Sequence, residues 1–338
     1  MTKDLILFGD CRETLKKFDE KARVCVTSPP YYGLRDYGTA TWIGGDPNCN
    51  HRRDTKVKPE NCITGHKNHD TMLGVGDAIY KSVCEKCGAI RQDNQIGLEE
   101  TPEEYVKEMV KVFRLVRDNL TDDGTLWLNI GDSYYNYRPG KGQSYPKQSV
   151  SKTKQDLPDE CNKRGSKLEG LKEKDLIGIP WLLAFALRQD GWYLRQDIIW
   201  HKPNPMPESV RDRCTKSHEY IFLFSKSKNY YFDVDAIKES TTDGKGLKRK
   251  RSVWKVNTKP YKEAHFAVFP QELIEPCILS GSEEGDIILD PFMGSGTTAM
   301  VSKSLNRHYI GCELSEDYGD LISQRVSPYE NRLDKFFS

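Results

Sequence analysis

The sequence has no long hydrophobic run. Nowhere among its 338 residues do ~18 consecutive apolar side chains occur, so no stretch reads as a transmembrane helix. Met1-Thr2-Lys3-Asp4-Leu5 lacks the apolar core of a secretory leader. Excess charge of one sign is also missing, because 51 Lys and Arg against 50 Asp and Glu leave a net charge of +1. A face for a polyanion must therefore come from local clustering. Ten cysteines are too few for a disulfide scaffold of this length. There is no internal repeat. The expectation is a soluble, cytoplasmic protein without a membrane partner. Its length suits one large domain with insertions, or two domains.

What is present centres on Thr27-Ser28-Pro29-Pro30-Tyr31. It follows Val24-Cys25-Val26, a short apolar run that reads as a buried strand. Each proline fixes φ, lacks an N–H and holds the residue before it extended, so the strand ends in a stiff loop. The Ser28 hydroxyl, the carbonyls of Ser28 and Pro29, and the Tyr31 ring suit a planar ring with an exocyclic amino group. A proline turn with a packed tyrosine is the plainer alternative.

The rest of the chain has an α/β rhythm. Leu5–Phe8 predicts a strand and Cys11–Phe18 a short helix, with Asp10 between them as ligand contact or N-cap. Thr101-Pro102-Glu103-Glu104 is a capping box opening a helix over 101–120, whose apolar face is Tyr105, Met109, Val112, Phe113 and Val116. Asp122-Asp123-Gly124 reads as a turn before a strand over Thr125–Ile130. Gly131-Asp132-Ser133 follows at its carboxyl end. Residues 136–175 read as a long polar loop. A helix over Ile179–Leu187 and a strand over Tyr193–Trp200 come next. Tyr220–Phe224 and Tyr230–Phe232 read as an antiparallel hairpin.

Near the carboxyl end, Ile287-Ile288-Leu289 predicts a strand. A glycine-rich turn follows, Asp290-Pro291-Phe292-Met293-Gly294-Ser295-Gly296-Thr297-Thr298, then a helix over Ala299–Leu305 and a strand over Tyr309–Glu313. Glycines mark close approach of a ligand to the backbone, and an acid at the end of the second strand can take two ribose hydroxyls. The turn lacks both the Gly-Lys-Ser/Thr of a P-loop and a full Gly-x-Gly-x-x-Gly. A nucleoside without a bound phosphate fits better.

Two further clusters stand apart. Cys84-Glu85-Lys86-Cys87-Gly88 has the shape of a zinc knuckle, and Cys49 with His51 can complete a Cys3His site; Cys62, His66 and His69 are rival ligands. Free thiols in a loop are the alternative. Residues 243–262 hold eight Lys or Arg and one acid. In that stretch Lys248, Arg249, Lys250 and Arg251, with Trp254, are the expected phosphate contacts, a solvated loop being the alternative.

Together, Thr27–Tyr31 and Asp290–Thr297 resemble the amino-group DNA methyltransferases, in the family's permuted order with the catalytic loop ahead of the glycine turn. The resemblance covers residues 4–38, 101–135 and 180–320. It implies a Rossmann-like α/β fold with a mixed, mainly parallel sheet and helices on both faces; the zinc-ribbon-like insertion is read from its own cysteines and histidine and is not part of the family's pattern. It implies methyl transfer from S-adenosylmethionine to cytosine N4 in double-stranded DNA. Adenine N6, or a DNA-binding module without catalysis, are the alternatives. Ser28, Pro29, Pro30 and Tyr31 become the catalytic loop. Asp10, Phe269, Asp290, Pro291, Phe292, Gly294, Gly296, Thr297 and Glu313 become the cofactor site. Residues 1–44 and 98–203 form the catalytic half, 45–97 the insertion, 204–265 the target-recognition region and 266–338 the cofactor half. A cognate restriction endonuclease is the partner the resemblance suggests, for a monomer or homodimer.

Overall fold

In chain order the elements are β1 (Leu5–Phe8), α1 (Cys11–Thr14), β2 (Ala22–Thr27), β3 (Thr41–Ile43), β4 (Ile90–Gln92), α2 (Pro102–Asn119) and β5 (Leu120–Ile130). Then come α3 (Ile179–Gln189), β6 (Tyr193–His201), β7 (His218–Ser225), β8 (Glu239–Ser240), β9 (Leu247–Lys248) and β10 (Val253–Lys255). The chain ends with α4 (Gln271–Gly281), β11 (Ile287–Asp290), α5 (Thr297–Ser304), β12 (His308–Glu313) and α6 (Gly319–Glu330). This computed structural model describes residues 3–33, 40–52, 80, 83–92, 95–135, 168–259 and 268–330.

Eight strands form one sheet in the order β1-β12-β11-β2-β5-β7-β6-β10. The pairings β1/β12, β12/β11, β11/β2, β2/β5 and β6/β10 are parallel, whereas β7 runs against both β5 and β6. β7 alone therefore opposes the other seven.

Side chains alternate across this sheet, and both faces are apolar because both are covered. Leu126, Leu128 and Ile130 of β5, with Phe222 and Phe224 of β7, pack with α2 and α3. The intervening Trp127, Ile221 and Leu223 pack with α4 on the other face. The capping box of α2 forms as read, with Thr101 and Glu104 satisfying each other's backbone N–H groups. Its five expected core residues are completely buried.

Two local expectations are corrected. Asp122-Asp123-Gly124 does not precede β5 but lies inside it. Ala22 pairs with Leu120 and Val24 with Thr125, so the extra residues of β5 bulge out without ending the strand. Tyr230–Phe232 is not a strand either. β7 already has β5 and β6 as partners, so a third cannot pair with it. The aromatic run packs on the sheet instead, with Phe232 stacked on Trp127 at 6.2 Å.

The chain divides into two units. One comprises Met1–Arg35, Ile96–Tyr134 and Leu176–Ser338, and contains the eight-stranded sheet. The other comprises Asp36–Gln95 and Tyr135–Asp175. Residues 45–95 of the expected insertion fall in the second unit and Ile96 and Gly97 in the first; the second unit also takes stretches assigned from sequence to the catalytic half. Within it β3 and β4 pair antiparallel beside a small cluster of Tyr80, Cys84 and Ala89. No described helix is long and apolar enough to cross a membrane.

Candidate active site

The parallel strands end along one edge of the sheet, and β7 begins there. This edge gathers Asp10 after β1, Ser28 after β2, Gly131 and Asp132 after β5, Lys202 after β6, the glycine turn after β11, and Glu219 at the start of β7. β2 and β11 are neighbours, with Cys25 opposite Leu289, so the proline loop and the glycine turn leave the sheet side by side.

A buried carboxylate ties them together. Asp290, 1% exposed, accepts the Thr27 hydroxyl at 2.6 Å, the Thr298 hydroxyl at 2.6 Å and the Phe292 N–H at 3.0 Å. Thr27 precedes Ser28, and Thr298 lies in the first turn of α5. Burial pushes the Asp290 carboxyl up to about 6, although all three donors favour its ionised form. Asp290 thus holds the two loops in register from beneath rather than facing a ligand.

Beside it, Glu313 closes β12. One of its oxygens accepts the Gly294 N–H at 2.7 Å and the other the Ser315 N–H at 2.9 Å. Burial raises its pKa against these bonds. Each carboxylate oxygen keeps a second lone pair, so the group can still receive a diol. Gly294 has φ +52° with open space where a side chain would be, as close approach of a ligand requires. Gly296 serves a different purpose from the one expected. Its φ is +81°, and an added Cβ would lie 3.0 Å from Ile322, so its lack of a side chain lets α6 pack. The Thr297 hydroxyl is buried without a hydrogen-bond partner at the start of α5. Pro291 is buried, and half-buried Phe292 packs on the α2 side of the sheet. Phe269 packs on the opposite face, two residues before α4.

Asp10 is corrected. It caps α1 and is gripped by Arg12, with contacts of 2.6–3.0 Å to both carboxylate oxygens. Arg12 also binds Glu108 at 2.9 Å. A fork-shaped guanidinium two residues away occupies the lone pairs that an adenine amino group would need.

The proline loop is braced through Tyr31 and Pro30. The Tyr105 hydroxyl donates to the Pro30 carbonyl at 2.9 Å. The Tyr31 hydroxyl donates to Glu219 at 2.8 Å. Burial, then the charge of Glu219, keep Tyr31 protonated. Asn129 lies within 3.4 Å of both Tyr31 and Glu219, and Lys202 forms an ion pair with the other oxygen of Glu219. Gly131 makes room for this arrangement, since a Cβ there would lie 2.6 Å from the Tyr31 ring. Tyr31, held by Glu219, therefore braces the loop that carries Ser28. Glu219, Lys202 and Asn129 were missed in the sequence. The available signal was a charged residue opening an otherwise apolar strand. Asp132 turns out to cap α3, accepting the N–H groups of Gly178 and Ile179 at 3.0 and 3.2 Å.

A family model described as DNA methylase, of the N6/N4 type, matches residues 22–324. The chain belongs to this family. It is 44% identical over 328 residues to the type II methyltransferase M.SmaI of Serratia marcescens, covering 95% of this chain and 90% of that protein. It is 41% identical over 319 residues to M.Cfr9I of Citrobacter freundii, covering 94% and 86%. In fold it is similar to the PvuII DNA methyltransferase (cytosine-N4-specific), with a TM-score of 0.58 at 16% identity over 98% of this chain and 93% of that one. A putative DNA modification methylase from Thermus thermophilus, solved with S-adenosyl-L-methionine, gives 0.53 at 20% identity over 96% and 94%. The eight-stranded sheet is accordingly the Rossmann-like core of an amino-group DNA methylase.

The expected DNA contacts of this methylase need revision. Trp254 is 5% exposed, packs 6.3 Å from Trp127 and donates its indole N–H to the Arg251 carbonyl at 2.7 Å. It belongs to the core because β10 pairs with β6, and it offers no free face to a base. Lys250 sits over its ring at 5.0 Å and Lys248 pairs with Glu239 at 3.6 Å. Arg249 and Arg251 are exposed. The run enters β10 from its amino end. At roughly 3.3 Å per residue, Arg251 lies about 13 Å back from the edge that holds Lys255 and His201. The other basic stretch, 136–167, lies outside the described residues. Cys49, His51, Cys84 and Cys87 do come together, in the second unit.

Two outcomes follow from this geometry. The folded Asp290 carboxyl titrates near 6 against an ordinary value of 3.8. Its contribution to stability is therefore full below about pH 4 and lost as pH rises through about 6. The unfolding free energy of the native protein minus that of Asp290→Asn should fall by about 3 kcal/mol between pH 4 and 7 in urea titrations. A flat difference would mean that Asp290 ionises normally. Separately, Tyr31→Phe keeps the ring and removes the hydrogen bond to Glu219 that braces the proline loop, so kcat should drop about ten- to a hundredfold with unchanged cofactor affinity. Unchanged kcat would reduce Tyr31 to a packing surface.

Proposed function

We propose that the protein is a site-specific DNA methyltransferase that moves the methyl group of S-adenosylmethionine to the N4 amine of cytosine. The observation that carries this reading is the Ser28 hydroxyl, fixed at the end of β2 beside the glycine turn of β11 through Thr27 and Asp290. An exocyclic amine is a weak nucleophile because its lone pair is delocalised into the ring. Ser28 Oγ and the Pro29 carbonyl each accept one amine N–H, which localises that pair and stabilises the positive charge that develops on nitrogen. The Ser28 oxygen has lone pairs with which to accept, and the Tyr31–Glu219 hydrogen bond steadies the loop that carries it.

The methyl donor supplies a sulfonium-bound methyl group. Glu313 receives its ribose hydroxyls, the backbone at Gly294 admits it closely, and the buried Thr297 hydroxyl gains a partner. The buried thiols are not nucleophiles in this scheme. Burial holds Cys11 and Cys25 protonated and pushes Cys312 up to about 12.

The target base leaves the duplex to reach Ser28. The DNA-facing segment is then 202–217, between β6 and β7, all but its first two residues within the region assigned from sequence to target recognition. It lies at the edge that holds Ser28 and carries exposed Arg211 and Met206, the latter 86% exposed. As for the type II relatives, a cognate endonuclease cutting the same site is the natural counterpart.

Adenine N6 is the second reading. Cytosine N3 with N4, and adenine N1 with N6, present the same acceptor and donor pair, so Ser28 and Pro29 can engage either edge. Serine ahead of the two prolines favours cytosine, by resemblance within the family. Mass spectrometry of nucleosides from DNA treated with the enzyme should find N4-methyldeoxycytidine, and N6-methyldeoxyadenosine in its place would transfer the assignment to adenine. Glu313→Ala should weaken S-adenosylmethionine binding about ten- to a hundredfold by calorimetry with the fold intact. Unchanged affinity would remove Glu313 from the site.

A further inference from the structure

We propose that Cys49, His51, Cys84 and Cys87 bind one structural zinc ion, and that this ion holds together the β3–β4 ribbon of the second unit. The inference stands independently of the base that is methylated. The four donor atoms all lie within 4.8 Å of one another. A tetrahedral zinc with Zn–S near 2.3 Å and Zn–N near 2.0–2.1 Å requires S···S edges of about 3.8 Å and S···N edges of about 3.5 Å. Cys49 Sγ and Cys84 Sγ are 3.7 Å apart, and Cys87 Sγ lies 3.5 Å from His51 Nδ1. The sulfur separation far exceeds the ~2.05 Å of a disulfide.

The backbone is shaped around this point. His51 has φ +50°, a conformation that costs a non-glycine residue energy and that clusters at functional sites. Its ring stacks on Trp42 of β3 at 4.2 Å and 15°, which fixes the direction of Nδ1. Gly88, at φ +75°, closes the Cys84–Cys87 turn by donating its N–H to the Cys84 carbonyl at 2.8 Å. A Cβ on Gly45 would stand 2.8 Å from Cys87 Sγ. A backbone N–H also points at a sulfur, from His51 to Cys49 at 3.4 Å. Such donors steady thiolates that carry a metal.

Donor chemistry selects the ion. Three sulfurs and an imidazole in a tetrahedron suit zinc and leave no oxygen ligand for calcium or magnesium. Four protein ligands leave no open position, so the ion is structural rather than catalytic. It also has work to do. Cys49 and Cys84 are 35 positions apart, and among the described residues the apolar cluster here is only Tyr80, Cys84 and Ala89 with a few partly buried neighbours. A core that small requires a staple.

The test uses the full chain, purified without chelators. Elemental analysis should find about one equivalent of zinc. Replacement by cobalt should give thiolate-to-metal charge-transfer bands and the intense d–d bands of a tetrahedral site. Cys84→Ser should lose the ion, whereas Cys62→Ser should keep it. His51→Cys should also keep it, with the cobalt spectrum of four thiolates, and this variant guards against loss through misfolding alone. Calorimetric binding of S-adenosylmethionine should be unchanged in Cys84→Ser. Protein free of metal that also fails to take up cobalt would overturn the proposal. So would Cys84→Ser that retains a full equivalent, or loss of the ion from Cys62→Ser.

Discussion

The site depends on one buried carboxylate. Asp290 gathers hydroxyls from two strands' worth of chain and a backbone N–H into a space that water does not reach. Each partner alone would be an unsatisfied polar group in the interior, so the cluster forms as a whole or not at all. Its position between β2 and β11 makes a polar cluster into a positional constraint. The proline loop and the glycine turn cannot shift independently, and in the proposed reaction positioning is where most of the rate is gained. Glu313, Gly294 and the start of α5 are arranged outward from that point.

The second constraint is the direction of β7. A fully parallel sheet would bring only strand ends to the active edge. Because β7 is reversed, its beginning lies there, and Glu219 enters beside residues that close β5 and β6. The charge of Lys202 compensates it, and Gly131 leaves space for the ring that Glu219 steadies. The resulting network is polar, half-buried and fully partnered, which suits a site that must hold one hydroxyl orientation rather than titrate.

Much of this was legible in the sequence because local chemistry dictated it. The capping box of α2, the apolar run of β2 and the glycine turn each determine their own geometry. The gathering of Cys49, His51, Cys84 and Cys87 was legible for a similar reason, since Cys-x-x-Cys-Gly dictates a turn. What escaped was decided by partners far along the chain. Tyr230–Phe232 has strand composition, but β7 had no vacant edge to offer. Lys248–Arg251 with Trp254 has the composition of a nucleic-acid contact. The indole was needed instead between sheet and helix, and pulled the run to the other end of a strand. Asp10 fits a ligand site until Arg12, two positions on, is seen to hold it. Glu219 carried no motif at all, and its importance appears only when the reversed strand places it against Tyr31.

The hydrogen bond between Thr27 and Asp290 joins positions 263 residues apart. β2 lies inside the sheet, yet one of its two neighbours is β11, which comes more than two hundred residues later in the chain. On the ribosome the proline loop therefore emerges long before the turn against which it works. At about 5–20 residues per second, that gap is roughly 13–50 s. During it, one side of β2 is a strand edge without its permanent neighbour, the kind of surface that chaperones shield. The two loops come into register only once β11 has joined the sheet.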